Sequence, residues 1–189
     1  MRRLLLILCS ILSCASIRTE AGELRLNAVK TTFLSWITGS SKICYERAWP
    51  RIHQSSDWAV VCIGAGGDKY GNHPLGYSVR YAHKFFFALN HREALTGFYI
   101  RPELIYSGYD YDAKQTHQRR RSDMGTLMGT IGYSHDWNHF VADAYFGSGY
   151  AWGSPADTGY EHGFSLWDYF GHYNPHISMT FGIRIGYSF

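Results

Sequence analysis

Residues 179–189 read MTFGIRIGYSF, and the sequence alternates without a break. Met179, Phe181, Ile183, Ile185, Tyr187 and Phe189 share one parity; Thr180, Gly182, Arg184, Gly186 and Ser188 share the other. A period of two is the signature of a strand, here with one apolar face and one polar or small face. The same parity recurs upstream. Phe98, Ile100, Leu104 and Tyr106 oppose Tyr99, Arg101, Glu103 and Ser107; Phe140, Ala142, Ala144, Phe146, Tyr150 and Trp152 oppose Asp143, Tyr145, Gly147 and Gly149. Tyr77, Val79 and Tyr81 oppose Ser78, Arg80 and Lys84, and Leu127, Ile131 and Tyr133 oppose Met124, Thr126, Met128 and Thr130. Alternation and turn residues together predict eight strands, over 24–36, 42–49, 58–66, 76–87, 97–110, 122–135, 139–152 and 177–189.

The large apolar residues fill one whole face of these strands, while the charges collect on the other. A soluble barrel with a ligand cavity requires the reverse, an apolar interior and a polar exterior. A strand in lipid turns its apolar face outward and its polar face to the lumen. No later segment offers the run of about 18 apolar residues that a membrane-spanning helix needs, and lipid tolerates only helices and closed barrels. The predicted fold is therefore all-β, an eight-stranded antiparallel up-and-down transmembrane β-barrel. Even strand number puts both termini on one side, with connections 50–57, 88–96 and 136–138 there. The connections 37–41, 67–75, 111–121 and 153–176 then lie on the other side, the longest among them. Aromatics make up 17% of the chain, and the assignment gathers them at two levels. Trp36, Tyr109, Tyr111, Tyr150 and Trp152 fall near one rim, and Trp49, Trp58, Phe98, Trp137, Phe140, Tyr187 and Phe189 near the other.

The N-terminus changes the charge picture. Arg2 and Arg3 precede an apolar run from 4 to 12, too short to span a bilayer, followed by a polar stretch to Ala21. This is the layout of a secretory signal peptide over residues 1–21. Cleavage is expected before Gly22, with cleavage after Ala15 as a second option and a loose lipoprotein box at 11–14 as a third. Loss of three arginines and one glutamate brings the formal +3 of the chain to about +1. That balance gives no support for a nucleic-acid partner.

The segments LNAVKTTFLSWITGSSKICYERAW, GFYIRPELIYSGYDYD, VADAYFGSGYAWG and MTFGIRIGYSF together resemble the small uncharacterised outer-membrane β-barrels of Bacteroidetes-type Gram-negative bacteria. The terminal aromatic after a closing strand resembles their targeting signal. The resemblance implies outer-membrane location and contact with outer-membrane lipid and lipopolysaccharide. It also implies recognition by the barrel assembly machinery, with Phe181, Ile183, Ile185, Tyr187 and Phe189 serving closure and targeting. It brings no catalytic residues.

Chemistry beyond the strand pattern is sparse. The lumen parity collects Lys30, Glu46, Arg80, Lys84, Arg101, Glu103, Asp143 and Arg184, a charge network expected to plug an interior only wide enough for side chains; a narrow pore is the alternative. Arg184 has Glu46, Glu103 and Asp143 as acidic candidates. Cys44 and Cys62, the thiols left after export, stand on consecutive strands; a cross-strand disulfide and two free thiols on opposite faces are both open. Arg119, Arg120 and Arg121 form a basic run suited to surface phosphate. His135, Asp136 and His139 cluster at a turn, and His172 and His176 are four apart, but solvated loop histidines suit both better than a metal. No G-x-S-x-G, H-E-x-x-H or phosphate-binding loop occurs. The expected protein is a monomeric, non-catalytic, cofactor-free barrel. A lipid-modifying barrel enzyme is the alternative of a different class.

Overall fold

The structure is a computed structural model, and it describes residues 24–32, 35–36, 39–68, 71–87, 94–113, 116, 118–154, 164–165 and 176–189. The expected signal peptide and most of the 153–176 connection lie outside the described residues.

The strands are β1 (Asn27–Thr32), β2 (Ser40–Trp49), β3 (Gln54–Ile63), β4 (Leu75–Phe86), β5 (Gly97–Asp112), β6 (Arg119–Trp137), β7 (Phe140–Gly153), β8 (Phe164–Ser165) and β9 (Ile177–Ser188). Each long strand pairs antiparallel with the next, and β1 pairs with β9 to close the sheet. The result is an eight-stranded up-and-down barrel, with the two-residue β8 added against β9. Closure removes the free edges that an open sheet would expose. At the seam Asn27 and Phe189 exchange backbone hydrogen bonds of 3.0 and 2.8 Å, so both ends of the barrel wall lie at one end, hereafter the terminal end.

Local sequence explains where the strands stop. Asn138 and His139 both have positive φ (43° and 83°) and join Trp137 to its partner Phe140. This is the two-residue turn whose twist matches the strands, and Asn favours it. The β2–β3 turn is shorter than the expected 50–57. Pro50–Ile52 form a 3-10 turn and His53 adopts the left-handed conformation, which starts β3 at Gln54. At the other end of β3, Gly64 has φ +90°, and a Cβ there would lie 2.1 Å from the Pro74 carbonyl oxygen. Gly64 therefore ends the strand, and β3 sits four residues earlier at its start than the expected 58–66. β1 is six residues, half the length expected from 24–36, because Ser35 and Trp36 turn off the wall, with Ser35 Oγ donating to the Thr32 carbonyl. Conversely β5 and β6, at 16 and 19 residues, extend into the expected 111–121 connection from both sides, to Asp112 and back to Arg119. They exceed the roughly 9–11 residues a tilted strand needs to cross a bilayer. Their hairpin stands above the far rim. The β4–β5 register skips from Ala82↔Glu103 to Phe85↔Ile100, beside Pro102, which has no N–H to donate.

Facing follows the sequence parity. On β2–β7 and β9 the outward positions are large and apolar: Val60, Phe98 and Ile131 are 57%, 65% and 61% exposed. Neighbouring outward aromatics pack along the wall, as in Tyr45–Trp58 at 6.1 Å and Phe98–Tyr133 at 4.8 Å between ring centres. The aromatic assignment needs one correction. Tyr109 and Tyr111 lie at the far rim but point inward, both buried with Val61, Ile63 and Ala113. A second apolar group, Ala28, Ala48, Ala94, Leu95 and Val141 with Leu26 against it, fills the terminal end. The lumen is thus a polar layer between two apolar caps.

Candidate functional site

Nine side chains from seven strands form one chain of alternating charge in the lumen. Lys30 Nζ lies 2.5 Å from Glu46 Oε2, and Lys84 Nζ spans Glu46 Oε2 at 2.9 Å and Asp143 Oδ2 at 2.8 Å. Arg184 Nη2 donates to Asp143 Oδ2 at 2.5 Å, while its Nη1 donates to Asp57. Arg101 continues the chain, 3.6 Å from Asp57 and 2.9 Å from Glu103, and Arg80 closes it 3.5 Å from Glu103. Every member is buried. A lone charge there would be very costly, so the alternation, with several contacts per group, is what makes the layer tenable.

Neutral groups complete it. Tyr99 and Ser55 hydroxyls donate to Asp143 and Glu46, and Arg101 Nε donates to Thr130 Oγ1 at 3.0 Å. The Tyr99 ring receives Lys84 at 4.5 Å, and the Tyr145 ring lies between Arg101 and Arg184 at 4.7 and 5.1 Å. These are cation–π contacts in a dehydrated setting, where they are strongest. Glycine makes the room: a Cβ at Gly132 would sit 2.4 Å from the Tyr99 hydroxyl, and one at Gly182 2.7 Å from that of Tyr145.

All eight lumen residues named from the sequence, Lys30, Glu46, Arg80, Lys84, Arg101, Glu103, Asp143 and Arg184, belong to this chain. The ninth, Asp57, lay in the expected 50–57 connection and was missed. Continuing the inward parity of Ala59 and Val61 back through Asp57 to Ser55 would have found it. Of the acidic candidates for Arg184, Asp143 touches it and Glu46 and Glu103 do not, Asp57 taking the other contact. Lys42 was also missed; it is buried on β2 with the same inward parity.

Of the two alternatives left open for the thiols, the structure has the second, two free cysteines on opposite faces. Cys44 is buried in the lumen opposite Ala59, whereas Cys62 has the outward parity opposite Ser41. They are on opposite faces and three register positions apart, and both thiols are free. The turn occupies 50–53 instead of the expected 50–57, and the register it sets pairs Cys62 with Ser41 and not with Cys44.

Arg119, Arg120 and Arg121 are exposed on the rising part of β6. Arg119 is engaged by Asp112 at 3.2 Å and the His73 carbonyl at 2.8 Å, and Arg121 holds Asp123 at 2.7 Å. Strand alternation sends Arg120 the other way, so the run is not one phosphate-binding cluster. The turn cluster also diverges. Asp136 points inward to Arg25 at 3.4 Å, His135 packs its ring on Trp137, and His139 Nδ1 lies 2.9 Å from the Ser188 carbonyl. His176 stands beside the Ala151 carbonyl at 2.7 Å, and His172 is outside the described residues. Among the described residues no three His, Cys, Asp or Glu side chains gather as a metal site would require. Phe181, Ile183, Ile185 and Tyr187 face outward from β9, and Phe189 stacks on Tyr187 at 6.4 Å.

No protein-family model, curated protein or solved structure matches this chain.

Proposed function

We propose that this chain is an integral outer-membrane β-barrel of a Gram-negative envelope, with a plugged polar lumen and a structural or surface-binding role through its far-end connections rather than a catalytic one. One observation carries the reading: the barrel is inside out for water. Its buried layer is ionic, while its outward face shows rows of Ile, Val, Leu, Phe, Tyr and Trp on strand after strand. Soluble monomers rarely leave apolar patches beyond a few hundred Å² exposed. In hydrocarbon the same rows are the favourable surface, and the closed ladder leaves no edge to satisfy. The pattern of outward residues, not the count of strands, separates this reading from a soluble carrier barrel.

The alternating charge chain supports a closed lumen over a narrow pore, since each of its nine charged groups is already held by a neighbour across the interior. The test is fractionation of the envelope, followed by a denaturing gel of unheated and boiled protein. A membrane barrel partitions with the outer membrane and changes mobility on boiling. Recovery in the soluble periplasm with no shift would sink the proposal, and steady conductance of the purified protein in a planar bilayer would remove the plug.

A further inference from the structure

Among the described residues the buried charges of the lumen do not balance. Asp136 at the terminal end is matched by Arg25. Of the rest, six cations (Lys30, Lys42, Arg80, Lys84, Arg101 and Arg184) face four carboxylates (Glu46, Asp57, Glu103 and Asp143). The alternating chain accounts for all four carboxylates and every cation except Lys42. Lys42 is 7% exposed, and none of the four carboxylates is within ion-pair distance of its ammonium. It lies within electrostatic reach of Arg80, Tyr145 and Glu103.

Beyond Val61, which faces Lys42 directly, the wall carries inward hydroxyls. In register, Lys42 faces Val61, Val61 faces Ser78, and Ser78 faces Ser107. The Ser78 and Ser107 hydroxyls are buried and find no hydrogen-bond acceptor or donor among the described residues, and neither does that of Thr126 on the adjoining strand. Arg80, two residues along β4 from Ser78, brings a second cation to the same side of the lumen. An ammonium outside the ion-pair chain, a guanidinium and unpartnered hydroxyls along one side of the lumen wall are the donor groups that hold an anion. An eight-stranded interior is only wide enough for side chains, which favours a monatomic ion over an oxyanion.

The geometry points to a halide-binding site in the lumen, between Lys42 and Arg80, on the side of the wall where the Ser78 and Ser107 hydroxyls lie in register. A bound halide offsets the charge that the protein leaves on Lys42 and gives the two hydroxyls an acceptor. The site sits on the far-end side of the charge chain, so the ion acts as a further element of the plug.

Bromide is the probe. Crystals of the full chain, folded in detergent and grown in sodium bromide, are expected to show an anomalous peak beside Lys42 Nζ. In solution the melting midpoint of the unheated gel form should rise with bromide at constant ionic strength, sulfate being the balancing ion. Lys42→Met should still show the boiling shift, because it removes an unpaired cation, and should weaken the bromide effect about tenfold or more, as expected for a lost charge-assisted hydrogen bond. Ser78→Ala with Ser107→Ala should weaken it less. A midpoint indifferent to bromide, a peak elsewhere in the barrel, or a bromide response unchanged in Lys42→Met would each overturn the site. None of these outcomes touches the membrane reading, which is judged by fractionation.

Discussion

Asp143 and Arg184 are direct register partners on β7 and β9, and Arg184 Nη2 lies 2.5 Å from Asp143 Oδ2 inside the barrel. The strand that closes the barrel is therefore also tied through its side chain to the strand before it. Asp143 is the hub of the layer, touching Lys30, Lys84, Arg184 and Tyr99. Asp143→Asn removes the charge but not the volume, leaving three buried cations short of a partner. The expected loss is about 3–5 kcal/mol, the usual cost of breaking a buried pair from one side. Urea unfolding in lipid vesicles measures it. Replacing both partners, with Asp143→Leu and Arg184→Met, should cost less than the sum of the single changes. An additive double variant would show that the two residues are not coupled.

Gly182 exists so that the Tyr145 ring can lie across β9. A Cβ at that position meets the phenol at 2.7 Å, and the phenol is held between two guanidinium groups. Gly182→Val is expected to destabilise the barrel by about 1–3 kcal/mol through overpacking. Adding Tyr145→Ala should recover part of that loss, which unfolding midpoints of the single and double variants would reveal.

The two thiols have separate fates. Cys62 is partly exposed on the outward face and Cys44 is buried among the lumen charges. A small maleimide should label Cys62 alone in the folded barrel and both after boiling, with intact mass as the readout. Unchanged mass under both conditions, or a reductant-dependent band on a non-reducing gel, would mean that a disulfide forms after all.

Ile183 lies at the middle of β9 and faces outward. In a bilayer Ile183→Arg should cost about 2–4 kcal/mol, whereas Ile177→Arg near the far rim should cost only about 0–1 kcal/mol. In water neither outward arginine would carry a large penalty. The depth dependence, read from folding equilibria in vesicles, is what distinguishes a lipid-facing wall from a solvated one.

Much of this barrel was legible because a strand period of two is exact: once Arg184 and Asp143 share a parity with Gly182 and Tyr145, their facing is settled. The eight lumen charges followed from that alone. The failures came where local geometry shifts the frame. His53 in the left-handed region starts β3 early and Gly64 ends it early, so Asp57 entered the wall and the register that decides between the two cysteine alternatives was not readable from the strand pattern. Tyr109 and Tyr111 were placed at the correct rim but assigned to the girdle by residue type, although their parity matched Glu103 and pointed inward. Which of three acids Arg184 would meet depended on barrel shear, which no single strand encodes.

The most direct measurement of whether the apolar wall faces lipid, as proposed, uses its own tryptophans. Trp49, Trp58, Trp137 and Trp152 all project outward and are 40%, 42%, 53% and 47% exposed. Protein folded into vesicles of lipid brominated along the acyl chains should lose most of its tryptophan emission relative to unbrominated vesicles, and should resist carbonate extraction. Emission indifferent to bromine, from protein that remains folded and washes off the vesicles, would contradict the membrane barrel outright.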